Sequence, residues 1–186
     1  MKYKLGTAID NTGETVTMWH SDYLSQNREV GALVMEALQY LLERKWARSP
    51  WQAFNNSHNV IWAENAEGKP MAGVVYEYQQ FIKQGFILII FTSEPYRGRG
   101  LYSIVQRFLE DEIIKNGGTS IASEAHADNE VRLRAGAQEG MLPEYYRLYK
   151  DLNPVLAERK KQMEEISGKK WDQLNREQWY IPTSRS

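Results

Sequence analysis

The 186-residue sequence contains no cysteine. Disulfides, thiolate metal sites, iron–sulfur clusters and a cysteine nucleophile are excluded together. Histidine is scarce as well. His20, His58 and His126 are far apart in the chain, which argues against a multi-histidine site, so no metal is expected. Charge of one sign is also lacking: 23 Lys and Arg stand against 24 Asp and Glu, a formal net charge of −1. Proteins that track a long nucleic acid normally carry a basic surplus, so nucleic acid is not an expected partner. Long apolar runs are missing too. The densest, Phe86–Phe91, is far shorter than the ~18 residues a membrane-spanning helix needs. The start, Met1-Lys2-Tyr3-Lys4, leads into no apolar segment of the secretory kind, so the expectation is a cytoplasmic protein with no membrane partner.

What is present is the balance of an ordinary globular protein, 42% hydrophobic and 25% charged. A chain of this length buries roughly 70% of its unfolded surface and holds a core without staples. Residues 2–9 end in Asp10-Asn11-Thr12-Gly13, a turn signal, before Thr15–Trp19, which reads as a hairpin. Val30, Leu33/Val34, Ala37/Leu38, Leu41/Leu42 and Trp46 recur at steps of three and four, the mark of an amphipathic helix over 28–46. Val60–Glu64, Met71–Gln79 and Phe86–Phe91 read as a strand meander, the last apolar on both faces. A helix over Leu101–Asn116 stops at Gly117-Gly118, a short strand follows over Thr119–Ala125, and Asp128 or Asn129 caps a helix reaching about Glu139. Leu142–Leu152 reads as closing strand, and 154–168 as a charged helix. This order predicts the α/β class, with a mixed sheet and helices on its faces.

The segment Phe91-Thr92-Ser93-Glu94-Pro95-Tyr96-Arg97-Gly98-Arg99-Gly100-Leu101-Tyr102 joins a buried strand directly to an amphipathic helix. A glycine-bearing turn there leaves successive N–H groups pointing outward at a helix N-terminus, which suits phosphate oxygens. Arg97 and Arg99 would add charge-assisted contacts. Taken alone, the same text equally suits a plain strand-to-helix turn with two solvated arginines.

The segment resembles the acyl-CoA-binding signature of the GNAT (general N-acetyltransferase) superfamily, Gln/Arg-x-x-Gly-x-Gly/Ala. Arg97 and Gly100 match it, while Tyr102 stands where a small residue is expected. The superfamily's helix-opening Asn corresponds to Asn129, and Gly140-Met141 lies where a Gly-Phe pair usually follows. The resemblance covers roughly 58–152 and implies a GNAT-like domain over 1–152. It implies a cleft between two splayed parallel strands, Phe86–Phe91 and Thr119–Ala125, that holds acetyl-CoA or another acyl-CoA. The pantetheine arm would run along backbone near Phe91, Thr92 and Ser93. The diphosphate would lie over the amides of Arg97, Gly98, Arg99, Gly100, Leu101 and Tyr102, with Asn129 fixing the arm. A small-molecule or peptide amine would attack the thioester directly, in keeping with the absence of cysteine.

The acid and base are less plain. The family often places a Tyr seven residues after the Asn to protonate the thiolate; here that position is Gly136, and the first cleft strand carries no Glu. Glu124 and His126 share a face of the second cleft strand under two-residue alternation, and either would take the amine proton. His126 reads equally as a turn residue. Tyr146, with Tyr145 and Tyr149, would supply a thiolate proton, although tyrosines on such a strand more commonly pack. Tyr76, Glu77, Tyr78 and Glu94 are further candidates. Trp19, Trp46, Trp51 and Trp62 sit in the N-terminal third, where the family builds its acceptor side. Residues 153–186 form a charged extension whose Trp171, Leu174, Trp179, Tyr180 and Ile181 are expected to dock on the core or on a second copy, giving a homodimer. The expectation is an acyl-CoA-dependent N-acyltransferase. The rival is a module of this fold that binds CoA or a partner without turnover.

Overall fold

The computed structural model describes residues 2–44, 46, 58–125 and 129–141. The chain divides into two compact units, Met1–Leu142 and Pro143–Ser186, and the described residues all lie in the first. Trp51, His126, the tyrosines at 145, 146 and 149, the closing strand and the charged extension fall outside the described residues.

Six strands follow one another across a single sheet: β1 (Lys2–Ile9), β2 (Thr15–Ser21), β3 (Asn59–Glu64), β4 (Pro70–Gln79), β5 (Gln84–Thr92) and β6 (Ser120–Ser123). Neighbours pair antiparallel except β5 and β6, which are parallel. A parallel pair requires a crossover, and α2 (Leu101–Lys115) supplies it. The remaining helices are α1 (Arg28–Glu43), between β2 and β3, and α3 (Glu130–Gln138), after β6. The fold is α/β with a mixed sheet, as the element order predicts.

Alternation along β3 and β4 sorts the core into two layers. Ile61, Ala63, Val74 and Tyr76 pack with Leu101, Val105, Leu109 and Ile113 of α2. Val60, Trp62 and Val75 pack with Val30, Val34 and Leu38 of α1. The two helices therefore cover opposite faces. Burial of each such aliphatic side chain stabilises by about 1.5–3 kcal/mol. Helix α1 begins where Asn27 accepts a hydrogen bond from the Val30 amide at 3.0 Å. It ends at Glu43, so Trp46 lies past the helix that the spacing extended to it.

Polar groups are threaded through the α2 layer. His20 is 3% exposed; its Nε2 meets the Tyr76 hydroxyl at 3.1 Å, and its buried Nδ1 has no hydrogen-bond partner. Tyr3 donates to Glu112 at 2.9 Å. Burial lowers the His20 pKa, against the opposing pull of Glu112 and Asp22, and burial lowers His58 as well. The unfolded chain therefore binds more protons than the folded one once pH drops below the ordinary histidine value of about 6.5. Stability should fall with pH from that point until the depressed folded values are passed. A melting-temperature series from neutral to mildly acidic pH checks this, and His20→Gln should flatten the acid side of the curve.

Candidate functional site

Strand β5 leaves the sheet through a 3-10 turn, Glu94–Tyr96, with Pro95 at its start. The chain then passes Gly98 at φ +78 and Gly100 at φ +75, the residue that caps α2. Positive φ suits glycine because it has no Cβ to clash. Two left-handed residues on alternate positions turn the amides outward. The amide of Arg97 is satisfied by the Glu94 carbonyl at 3.3 Å, and that of Ile104 by Gly100 at 3.3 Å. Between them, the amides of Gly98 to Ser103 find no acceptor among the described residues. Together with the positive end of the α2 dipole they form an anion cradle.

The hairpin joining β1 to β2 braces this cradle from behind. The Asn11 amide donates to the Arg99 carbonyl at 3.0 Å, and a Cβ on Gly100 would stand 2.7 Å from the Asn11 side-chain oxygen. The Arg99 guanidinium bonds the buried Asp10 at 2.6 Å and also engages Glu14. Burial alone would raise the Asp10 carboxyl; hydrogen bonds from Thr12 and Arg99, with the Thr12 and Glu14 amides, outweigh it and hold the pKa at about 2. The Arg99 side chain thus anchors the loop, and only its backbone faces the cradle. Arg97 is exposed, its Nε 3.4 Å from the Thr92 carbonyl and its guanidinium over the Tyr40 ring.

The second half of the site is a fork. Strands β5 and β6 pair from Gln84↔Ser120 to Ile87↔Ser123 and then part. At that point β5 carries a bulge: Tyr76 pairs with Ile87 and Val75 with Ile89, leaving Leu88 as the extra residue. Leu88 and Ile89 consequently both turn to the α1 layer, while Ile87 and Ile90 pack in the α2 layer, so the strand is apolar on both faces because both are covered. Bulges end pairing and redirect backbone groups. From Leu88 to Thr92 the outer edge of β5 has no neighbouring strand among the described residues. The Phe91 side chain lies in the α1 layer. Beyond that stretch both groups of Ser93 are spent, its amide donating to the Met71 carbonyl of β4 at 2.8 Å and its carbonyl accepting from the Tyr96 amide at 2.9 Å.

Helix α3 borders both halves. Asn129 caps it, accepting from the Arg132 amide at 3.1 Å, so its side-chain NH2 remains to donate. Arg132 reaches the Tyr102 hydroxyl at 2.8 Å, Ser123 Oγ at 2.8 Å and Met141 Sδ at 3.6 Å. A Cβ at Gly136 would lie 2.9 Å from the Arg132 Nη1; the guanidinium occupies the space that a larger side chain there would claim. Ser103 also engages Glu139. Burial pushes the Tyr102 phenol up, partly offset by Arg132.

Several candidates are placed elsewhere. Strand β6 ends at Ser123, shorter than Thr119–Ala125, so strand alternation does not govern Glu124, which follows it exposed. Tyr76 is buried against His20. Tyr78 donates to the Asn116 carbonyl at 2.9 Å, and Glu77 and Glu94 are exposed. Trp62 is core at 0% exposure, while Trp19 and Trp46 are half-buried.

The described residues thus set a strand–turn–helix unit with outward amides beside a forked parallel pair. Residues 19–135 match the sequence model of the acetyltransferase (GNAT) family. The chain belongs to that family. Proteins of the GNAT family generally use acetyl-CoA or another acyl-CoA. No curated protein sequence matches the chain. Solved GNAT-like structures do. An aminoglycoside acetyltransferase from an uncultured soil metagenomic sample superposes with TM-score 0.55 at 10% identity, covering 74% of this chain and 97% of that one. The ribosomal-protein-alanine N-acetyltransferase of Brucella melitensis biovar Abortus 2308 gives TM-score 0.55 at 14% identity, with coverages of 74% and 99%. A mutant of a Bacillus halodurans protein gives TM-score 0.59 at 13% identity, with coverages of 73% and 99%. At such identities the likeness establishes the fold.

Sequence reasoning missed two contributors in this GNAT chain. Arg132 was recoverable, since it lies three residues after Asn129 and four before Gly136, on the same helix face. The bracing of the cradle by Asp10, Asn11 and Glu14 had no local signal beyond a turn motif, because the contact joins segments some ninety residues apart.

Proposed function

We propose that the protein is an N-acyltransferase that moves an acyl group, most simply acetyl, from CoA to a primary amine within a ternary complex. The observation that carries this reading is the run of amides from Gly98 to Ser103 at the head of α2, which find no acceptor among the described residues and open beside the stretch of β5 that no described strand pairs. The diphosphate would rest on those amides. The pantetheine arm would follow Leu88–Thr92 to the fork, with the Asn129 side-chain NH2 donating to it. The bulge at Leu88 would present backbone donors to the thioester carbonyl, where charge develops during attack. Arg97, exposed at the cradle's rim, would meet a phosphate of the donor.

The amine nitrogen would attack the acyl carbon directly. Glu124 and His126, which follow β6, would take the proton that the amine sheds. A small-molecule amine is favoured as acceptor by the presence of aminoglycoside acetyltransferases among the structural neighbours. Residues 1–152 would form the transferase domain and 153–186 an extension that docks on it or on a second copy. The absence of a family-type tyrosine at Gly136 supports a second reading, a CoA-binding module without turnover.

Melting temperature with and without CoA or acetyl-CoA tests the donor site. Ligand at a hundred times its dissociation constant contributes about 2.7 kcal/mol, a rise of several degrees for a domain of this size. No shift with any CoA thioester would overturn the proposal. Thiol release from acetyl-CoA in the presence of aminoglycosides and peptide amines then separates enzyme from module.

A further inference from the structure

Gly136 raises the question of what protonates the departing sulfur. The fork gives an answer. Tyr102, in the first turn of α2, is half-buried and aims its hydroxyl at α3. There Arg132 donates to the phenol oxygen at 2.8 Å, and the same guanidinium donates to Ser123 Oγ at 2.8 Å. Ser123 is the residue of β6 at which the strands part. The phenol therefore stands between the amide cradle and the fork, along the route that a pantetheine arm would take. Because the guanidinium only donates, the phenol's own proton has no acceptor among the described residues and is left to face a ligand.

Two features of the chain complement each other at this place. A large residue stands at 102 and none at 136, and the Arg132 Nη1 lies 2.9 Å from where a Cβ on Gly136 would be. The empty position makes room for the guanidinium, and the guanidinium holds the phenol.

We propose that Tyr102 is the group that protonates the leaving thiolate, and that Arg132 is the positioning residue that orients it and stabilises its phenolate. In the step, the amine nitrogen bonds to the acyl carbon. The carbon–sulfur bond breaks with its electron pair on sulfur, sulfur takes the Tyr102 proton, and the phenolate recovers a proton through solvent from the amine. The assignment rests on the acyltransferase reading above.

Titrating the thiol of enzyme-bound CoA by its ultraviolet thiolate absorbance tests it without any acceptor. A hydrogen-bond donor and a cation near the sulfur should lower the bound thiol's pKa below that of free CoA by about 1–3 units. Tyr102→Phe and Arg132→Gln should each reverse about one unit of that shift or more, with CoA affinity changed only a few-fold, while Arg132→Lys should retain part of it. Should Tyr102→Phe fold poorly, as its melting temperature would show, Arg132→Gln decides by the same readout. A bound thiol that titrates like free CoA, or a shift that survives both variants, overturns the assignment while leaving the donor site standing. Failure of the unsubstituted protein to bind CoA overturns both.

Discussion

Gly100→Trp is expected to abolish CoA binding while the sheet remains folded. Position 100 sits at φ +75, and a Cβ there meets the Asn11 side chain at 2.7 Å. The Cβ points at Asn11 and the left-handed backbone disfavours any side chain, so the loop must shift and its amides lose their alignment. Losing even two charge-assisted hydrogen bonds to the diphosphate, at about 1.5–3 kcal/mol each, weakens binding by ~100-fold or more. Calorimetric titration with CoA measures the effect, and backbone circular dichroism checks the fold. Asn11→Ala combined with Gly100→Trp removes the clash but keeps the left-handed strain, so this pair should recover only part of the affinity. Affinity within a few-fold of the unsubstituted protein would move the phosphate site away from the head of α2.

Trp62→Ala carries the largest expected loss of stability. The indole is fully buried between the sheet and α1. Its Nε1 donates to Glu64 at 2.8 Å, and the Lys2 ammonium closes the group, 3.0 Å from Glu64 and 4.2 Å from the centre of the Trp19 ring. Truncation leaves a cavity and removes the donor to a nearly buried carboxylate. The cost should be about 3–5 kcal/mol, a large share of the 5–15 kcal/mol that holds a typical domain. Denaturant unfolding reads it directly as a lowered midpoint. A loss below about 1 kcal/mol would mean that the α1 layer does not depend on this side chain.

The local text explains much of the architecture. The three- and four-residue spacing of Val30, Val34 and Leu38 is what α1 buries, and Gly98 and Gly100 lie where the backbone turns left-handed. Asn129, one of the two caps that the sequence offers for this helix, is the residue whose side chain accepts from the Arg132 amide. Strand β6 is shorter than the sequence suggests, because nothing in Thr119–Ala125 marks where pairing with β5 stops. The pairing stops beside the bulge at Leu88 on the other strand. A loop arginine such as Arg99 carries no mark of its partner in the sequence. Only the fold shows that its guanidinium bonds Asp10 and Glu14.

Element order, the family signature at Arg97 and Gly100 and the exclusion of cysteine chemistry were decided by the sequence alone, since each depends on residues that are neighbours in the chain or on residues that are simply missing. The union of Tyr102, Ser123 and Arg132 at the fork, and the brace of the hairpin on the cradle, were decided only by tertiary structure. Both join side chains from separate elements, and hydrogen bonds of that kind form only after the sheet and its crossover helix have set the distances between them.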